Sequence, residues 1–211
     1  MAKLLVDTNI ISKAYLPDAP AWLWEWLESL PSGFLAVPWL ALYETEYGIR
    51  TVQRHNPTRA LELLAWFDQF VATCDPYPDM DATASRLLGR MAATPAMQHF
   101  FLTEERKNKN GETLKPLRIQ LGGDAILAAL SIAHEIPIAT FNSRDFMYIN
   151  RFFPLPGVYD PEFDYWAIEP AQDWFRLEPA NDDVHMTVRQ NIRCDRSHRA
   201  ATGVPLGGAP K

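Results

Sequence analysis

Cysteine is scarce. Two residues in 211, Cys74 and Cys194, lie far apart and make no metal-binding pattern. A chain of this length that is 47% hydrophobic buries a core without cross-links. Both thiols are therefore expected unpaired, as in a cytoplasmic protein. Long apolar runs are missing too. No stretch approaches the roughly 18 to 20 residues of a membrane span. The first apolar run, Leu4-Leu5-Val6, meets Asp7 at once and is too short for a secretory core. The histidines at 55, 99, 134, 185 and 198 form no set at ligand spacing. No Walker loop, dinucleotide fingerprint or serine elbow is present. Positive charge is the last shortage. Lys and Arg number 20 against 26 acids, a net of −6. That excludes broad, sequence-blind affinity for nucleic acid, though not a local basic surface. Residues 151–183 carry a net −6 and residues 189–211 a net +4.

What is present is an alternation of strands and helices. Residues 3–6 predict a short buried strand, and Asp7, Thr8 or Asn9 can cap a helix to about Tyr15. "AWLWEWLESL" (21–30) has helical spacing and "FLAV" (34–37) is a second strand. Helices are expected from about Trp39 to Gln53, after Pro57, and over "MDATASRLLGRMAA". "FVATC" is a weak strand candidate. Residues 94–121, with "EERKNKNGETLK", predict an exposed loop or frayed helix. "GGDAILAALSIAHE" (122–135) is a helix, "IPIATF" (136–141) a strand, and "NSRDF" follows it. Such an order predicts an α/β sandwich around a mostly parallel sheet, which binds ligands at the carboxyl ends of its strands.

Four acids stand out. Asp7 ends the first strand and Asp145 follows the last, so a parallel sheet brings both to one edge. Asp124 begins a helix. Asp7 can equally be a helix cap, and Asp124 can simply favour a helix N-terminus. Glu44 is expected on the apolar face of its helix, with Leu40, Ala41, Tyr47 and Gly48 as neighbours and no basic partner. Glu46 has Arg50 at i+4 and predicts an ordinary exposed pair. A buried carboxylate is costly unless an arginine or a metal compensates it. Clustered carboxylates without thiolate or histidine select Mg²⁺ or Mn²⁺ over Zn²⁺. Such a site can activate water for displacement at phosphorus.

These residues carry a resemblance. "LLVDTNIIS" with Asp7, "ETEYGI" with Glu44, "GGDAILAALSIAHEIPIAT" with Asp124 and "TFNSRDF" with Asp145 stand in the order found in PIN-domain ribonucleases. The chain resembles in particular the VapC-type toxins of bacterial toxin–antitoxin pairs, over roughly residues 3–160. The resemblance implies a three-layer α/β/α PIN-like domain over residues 1–158, with an insertion at about 94–121. An irregular aromatic and acidic extension (159–180) and a disordered tail (181–211) are expected to follow. The resemblance also implies one or two Mg²⁺ or Mn²⁺ ions and metal-dependent hydrolysis of RNA. Asp7 and Asp124 would be direct ligands, with Glu44 and Asp145 completing the pocket. Thr8, Asn9, Thr140 and Asn142 would be polar support. A homodimer and a small antitoxin, whose tail covers the site, are the implied partners. The chain departs from the family at Thr140-Phe141-Asn142, where the family usually has Thr-Arg-Asn.

Basic residues that could hold an RNA backbone are Arg50, Arg54, His55 and Arg59, and Lys107, Lys109, Lys115 and Arg118 before Asp124. Solvated surface charge is the ordinary alternative for each. Two other functions compete with the nuclease. One is a PIN-like module without activity that serves as a binding partner or scaffold. The other is an aspartyl-nucleophile phosphoryl-transfer enzyme, which would prefer Asp where Asn9 stands.

Overall fold

The computed structural model describes residues 3–16, 18–102, 106–107, 110, 113–115, 120 and 122–171. The elements in order are β1 (Leu4–Val6), α1 (Thr8–Ala14), α2 (Ala21–Ser29), β2 (Leu35–Ala36), α3 (Trp39–Gln53), α4 (Pro57–Thr73) and α5 (Ala82–Ala93). A 3₁₀ helix (Pro95–Phe100), β3 (Arg106–Lys107), β4 (Thr113–Lys115), α6 (Gly123–His134), β5 (Ile138–Ala139), α7 (Ser143–Asn150), β6 (Val158–Asp160) and β7 (Tyr165–Ile168) follow.

The central sheet has the order β2-β1-β5-β6-β7. Its first four strands are parallel and β7 is antiparallel to β6. Every residue of β1, β2, β5 and β6 is buried, as befits strands covered on both faces. Strand alternation divides the core in two. Leu5, Ala36, Ile138 and Val158 pack with residues of α5, α6 and α7. Leu4, Val6, Leu35, Ala139 and Tyr159 pack with α1, α2 and α4. α3 serves both, giving Leu40 to one core and Ala41 and Ile49 to the other. The expected PIN-like α/β architecture, with helices on both sides of a mostly parallel sheet, is what the chain adopts.

Three expectations are corrected. "FVATC" is not a strand: Phe70–Thr73 form the last turn of α4 and Cys74 caps it. Trp66, Phe67 and Phe70 are buried at helical spacing, and that period outweighs the β-branched Val71 and Thr73 in the run. Within 94–121, expected as a loop or frayed helix, the described residues include the 3₁₀ helix and the β3–β4 hairpin. The boundary expected at residue 158 falls inside the β6–β7 hairpin. That hairpin extends the sheet to Ile168, turning at Asp164 with φ +50°. Of the aromatic residues expected as a strap, Tyr159 and Trp166 pack together with ring centroids 5.2 Å apart. Phe163 is exposed, and Trp174 and Phe175 lie outside the described residues. The chain divides into two units, Met1–Arg176 and Leu177–Lys211. The second, with Cys194 and the expected tail, lies outside the described residues.

Candidate active site

The parallel strands deliver their carboxyl ends to one edge, and the Asp7 backbone N–H donates to Ala139 O there (3.0 Å). Val6 and Ala139 are in register, so Asp7 and Thr140 emerge side by side. Thr140 Oγ1 donates to Asp7 Oδ2 (2.7 Å), and Asn9 Nδ2 donates to the same oxygen (2.8 Å). The other oxygen, Oδ1, accepts the Asn9 backbone N–H at 3.5 Å, the cap of α1. Asp7 is thus both cap and pocket residue. Asn9 also reaches Thr140 Oγ1 (3.0 Å) and accepts from Phe141 N (3.3 Å), tying the start of α1 to the end of β5.

The remaining acids arrive from helices. Asp124 and Asp145 each stand in the first turn of a helix, α6 and α7. Asn142 Nδ2 donates to Asp145 Oδ2 (2.7 Å) and lies 3.4 Å from Asp124 Oδ2. Its backbone N–H donates to Thr140 Oγ1 (2.9 Å). Glu44 comes from α3, its Oε2 accepting from Thr8 Oγ1 (2.6 Å). Asp7, Thr8, Glu44, Gly123 and Asp124 line one cavity of about 80 Å³. All four expected support residues bond to an acid or to a partner of one.

The expected burial of Glu44 needs correction. Glu44 is exposed, as are Tyr47 and Gly48 on the same side of α3. Of the neighbours one turn away only Leu40 and Ala41 are buried, while Ile49 keeps the later part of α3 in the core on another side of the helix. Glu44 is held at the site by Thr8 and not by burial. Glu46 pairs with Arg50 at 2.7 Å as expected. Gly123 is the residue the sequence pattern undervalued. A Cβ there would lie 3.5 Å from Glu44 Oε1, so its missing side chain leaves the cavity open. Only its place as a helix opener was visible in the sequence.

The electrostatics follow from this geometry. Burial, first, and then the charges of Asp7 and Asp145 push the Asp124 carboxyl up to about 7, with Asp145 hydrogen bonding and Glu44 adding to the rise. Burial also raises Asp7, opposed chiefly by the Thr140 hydrogen bond. Among the described residues, no lysine, arginine or histidine forms an ion pair with any of the four acids. Neither is any group of three or more His, Cys, Asp or Glu side chains gathered there as a finished metal-ligand set. The donor chemistry nonetheless suits a hard divalent cation, being carboxylate and amide oxygen with no thiolate. A half-buried carboxyl raised by burial and by its like-charged neighbours is relieved by such an ion.

The expected RNA-binding residues are dispersed. Arg50 is engaged by Glu46 and Gln53. Arg54, ten residues beyond Glu44, is about 15 Å along the helix axis from it. Arg59 pairs with Glu62 and lies over the Tyr15 ring. Lys107 belongs to β3, while Lys109 and Arg118 lie outside the described residues. A second groove, of about 470 Å³, runs between α1, α3 and α4, lined by Ile11, Tyr15, Ile49, Val52 and Trp66, and reaches Glu44.

No family model matches the chain, and no curated protein matches it. Solved structures do. A chain of VapBC2 from Rickettsia felis, bound to a DNA fragment from its promoter, is 17% identical with a TM-score of 0.51. The match covers 74% of this chain and 97% of that one. DNA-bound VapBC from Salmonella typhimurium is 20% identical (TM-score 0.49; 76% and 99% covered). VapBC-1 from nontypeable Haemophilus influenzae is 18% identical (TM-score 0.49; 75% and 98%). At these identities the likeness concerns the fold.

Proposed function

We infer that this chain is a Mg²⁺- or Mn²⁺-dependent endoribonuclease and the toxin of a toxin–antitoxin pair. One observation carries the reading. Asp7, Glu44, Asp124 and Asp145, drawn from four separate segments, meet at the sheet's carboxyl edge, where Asp124 is pushed up to about 7. That arrangement destabilises the metal-free protein and suits a cation. A divalent ion bound there supplies charge neutralisation and an acidified water for attack at phosphorus. The chain's own residues supply position. Thr140 and Asn9 fix Asp7, Thr8 fixes Glu44, and Asn142 fixes Asp145 beside Asp124.

The toxin half of the reading is supported by the fold shared with VapBC2. A small antitoxin has a place to dock in the apolar groove that ends at Glu44. The phosphoryl-transfer alternative is disfavoured by Asn9, which holds Asp7 and Thr140 together in place of a second carboxylate.

Replacing Asp7 or Asp124 with Asn is expected to abolish RNA cleavage in Mn²⁺ and to remove thermal stabilisation by Mn²⁺, with the fold retained by circular dichroism. Cleavage that persists in both variants refutes the assignment. The absence of a finished ligand set among the described residues favours the non-catalytic binding module as second reading. A protein that neither gains stability from Mn²⁺ nor cuts RNA would be such a module.

A further inference from the structure

One face of α3 leads out of the acidic cavity into solvent. Leu40, Tyr43, Glu44 and Tyr47 stand at i, i+3, i+4 and i+7, so they form a single stripe along the helix. The inner half of the stripe is fixed against the site. A Cβ on Gly123 would lie 3.5 Å from Glu44 Oε1 and 3.8 Å from Leu40 Cδ2. Leu40, Glu44, Gly123 and Asp124 line the same cavity. The outer half of the stripe is Tyr43 and Tyr47. Each is 61% exposed, and their rings are nearly parallel, 20° between planes, with centroids 6.3 Å apart. Tyr43 adjoins Glu44 in the chain, and Tyr47 lies about 4.5 Å further along the axis. Helical side chains lean toward the N-terminus, so Tyr47 leans back over the turn that carries Glu44.

The fold itself gives no reason for the pair. Two rings left in water gain little from burial, and alanine would form the helix better at both positions. Nor does the pair belong to the apolar groove, which α3 lines with Thr45, Gly48, Ile49 and Val52 on its other side. The rings are bounded by Glu44 on one side and by Arg50 on the next turn. Two rings cover far less than the roughly 800 Å² a side that a stable protein interface buries. They are large enough for a nucleobase.

The local charge favours that occupant. The acids beside the rings repel a phosphate backbone, and Arg50 is engaged by Glu46 and Gln53. The uncharged bases are the part of a strand that this face can grip. Unpaired bases stack on aromatic side chains whatever their identity.

We propose that Tyr43 and Tyr47 form a stacking platform for unpaired nucleobases of the RNA whose phosphodiester enters the acidic cavity. The proposal rests on the ribonuclease reading and gives that site a hold on its substrate that needs no backbone cation. The platform binds substrate and takes no part in the chemistry. It selects single strands over duplexes, whose base faces are already covered, and it imposes no fixed sequence.

The test uses the full chain carrying Asp124→Asn, so that RNA is bound and not cut. Adding Tyr43→Ala and Tyr47→Ala should weaken binding of a fluorescent single-stranded RNA by on the order of tenfold. The slope of log K against log salt should stay that of the parent, because no phosphate contact is removed. Tyr43→Phe with Tyr47→Phe keeps both rings and should bind as the parent does. An RNA of the same length without bases should bind the parent and the Ala pair equally. Leu61→Ala, exposed on α4, is the control and should change nothing. Unchanged affinity in the Ala pair overturns the platform. So does a Phe pair that binds as weakly as the Ala pair, or a base-free strand that loses as much affinity as the intact one. An Ala pair that turns a dimer into a monomer in sedimentation makes the rings a contact between copies, and overturns it too. Cleavage by the wild type in Mn²⁺ is measured in parallel. A chain that cuts RNA with indifferent tyrosines refutes the platform alone, and one that neither cuts nor binds RNA refutes the nuclease reading with it.

Discussion

Thr140 donates its hydroxyl to Asp7 Oδ2 at 2.7 Å across 133 residues of sequence. Thr140 is fully buried, and its Oγ1 accepts in turn from Asn142 N–H. One hydroxyl therefore joins the carboxylate that follows β1 to Asn142, the residue that caps the helix carrying Asp145. Thr140→Val keeps the shape and removes these bonds together with the one from Asn9 Nδ2. Asp7, already raised by burial, loses the interaction that most opposes the rise. Groups that orient a metal's ligands are worth about 10- to 100-fold in metal affinity. Calorimetric titration should show Mn²⁺ binding weakened by about that factor, with cleavage falling in step.

The raised carboxyls make stability depend on pH in a definite sense. Asp124 titrates near 7 in the folded chain and near its ordinary carboxylate value when unfolded. Between those values the folded state binds the extra proton, so stability from this group is greatest at the acid end of the window and is lost as pH rises through about 7. Asp7 shifts in the same direction. Metal-free protein should therefore melt lower at pH 8 than at pH 5.5. Asp124→Asn should flatten that dependence and raise the melting temperature at pH 8. Saturating Mn²⁺ should stabilise the wild type more at pH 8 than at pH 5.5, because it competes with the proton.

Much of this site was legible because its acids terminate elements. Asp7 and Asp145 could be placed at one edge from the strand–helix alternation alone, and Asp124 from its helix start. Glu44 reaches the candidate site through Thr8 and not through the burial its helical spacing suggested. Its i−3 and i−4 neighbours are buried, but Tyr47 and Gly48 are not, and the buried Ile49 shows that the core-facing side of α3 runs elsewhere, which a sequence does not show. The β7 strand was hidden for a related cause. Its exposure pattern runs from exposed Tyr165 through half-buried Trp166, Ala167 and Ile168 without the clean alternation of a two-faced strand. Strands of two or three residues, such as β2 and β5, carry almost no periodicity, and only their flanking Pro38 and Thr140 bound them.

Two adjacent glycines should behave differently. At Gly122 a Cβ would sit 2.3 Å from the Phe100 carbonyl oxygen, a backbone atom with little room to give. Gly122→Ala should destabilise the protein by about 1–3 kcal/mol, and it should disturb Asp124 two residues on. At Gly123 the nearest atom is Glu44 Oε1 at 3.5 Å, an ordinary contact. Gly123→Ala should fold with wild-type stability and bind Mn²⁺. Gly123→Val extends branches into a cavity of only about 80 Å³. It should keep its melting temperature and lose metal binding. Thermal melts with and without Mn²⁺ distinguish all three variants.

The apolar groove allows toxicity and neutralisation to be separated. Gly48 lines it, has nothing within 4 Å of a would-be Cβ, and sits in the interior of α3, where glycine is about 1 kcal/mol less favourable than alanine. A Cβ there meets open space, and the groove beside it can take a larger side chain. Gly48→Phe should therefore fold at least as stably as the wild type while filling a groove lined by Ile11, Tyr15, Ile49, Val52 and Trp66. It leaves Asp7, Asp124 and their supports untouched, so cleavage in Mn²⁺ should persist. An antitoxin that docks in the groove should then bind more weakly by on the order of tenfold or more, the cost of a clash at the centre of a small apolar interface. Growth of cells co-expressing Gly48→Phe and an antitoxin that neutralises the wild type is the measurement. Arrest despite co-expression supports the groove as the antitoxin's seat. Full rescue, with undiminished binding in a pull-down of the purified pair, places the antitoxin on another face.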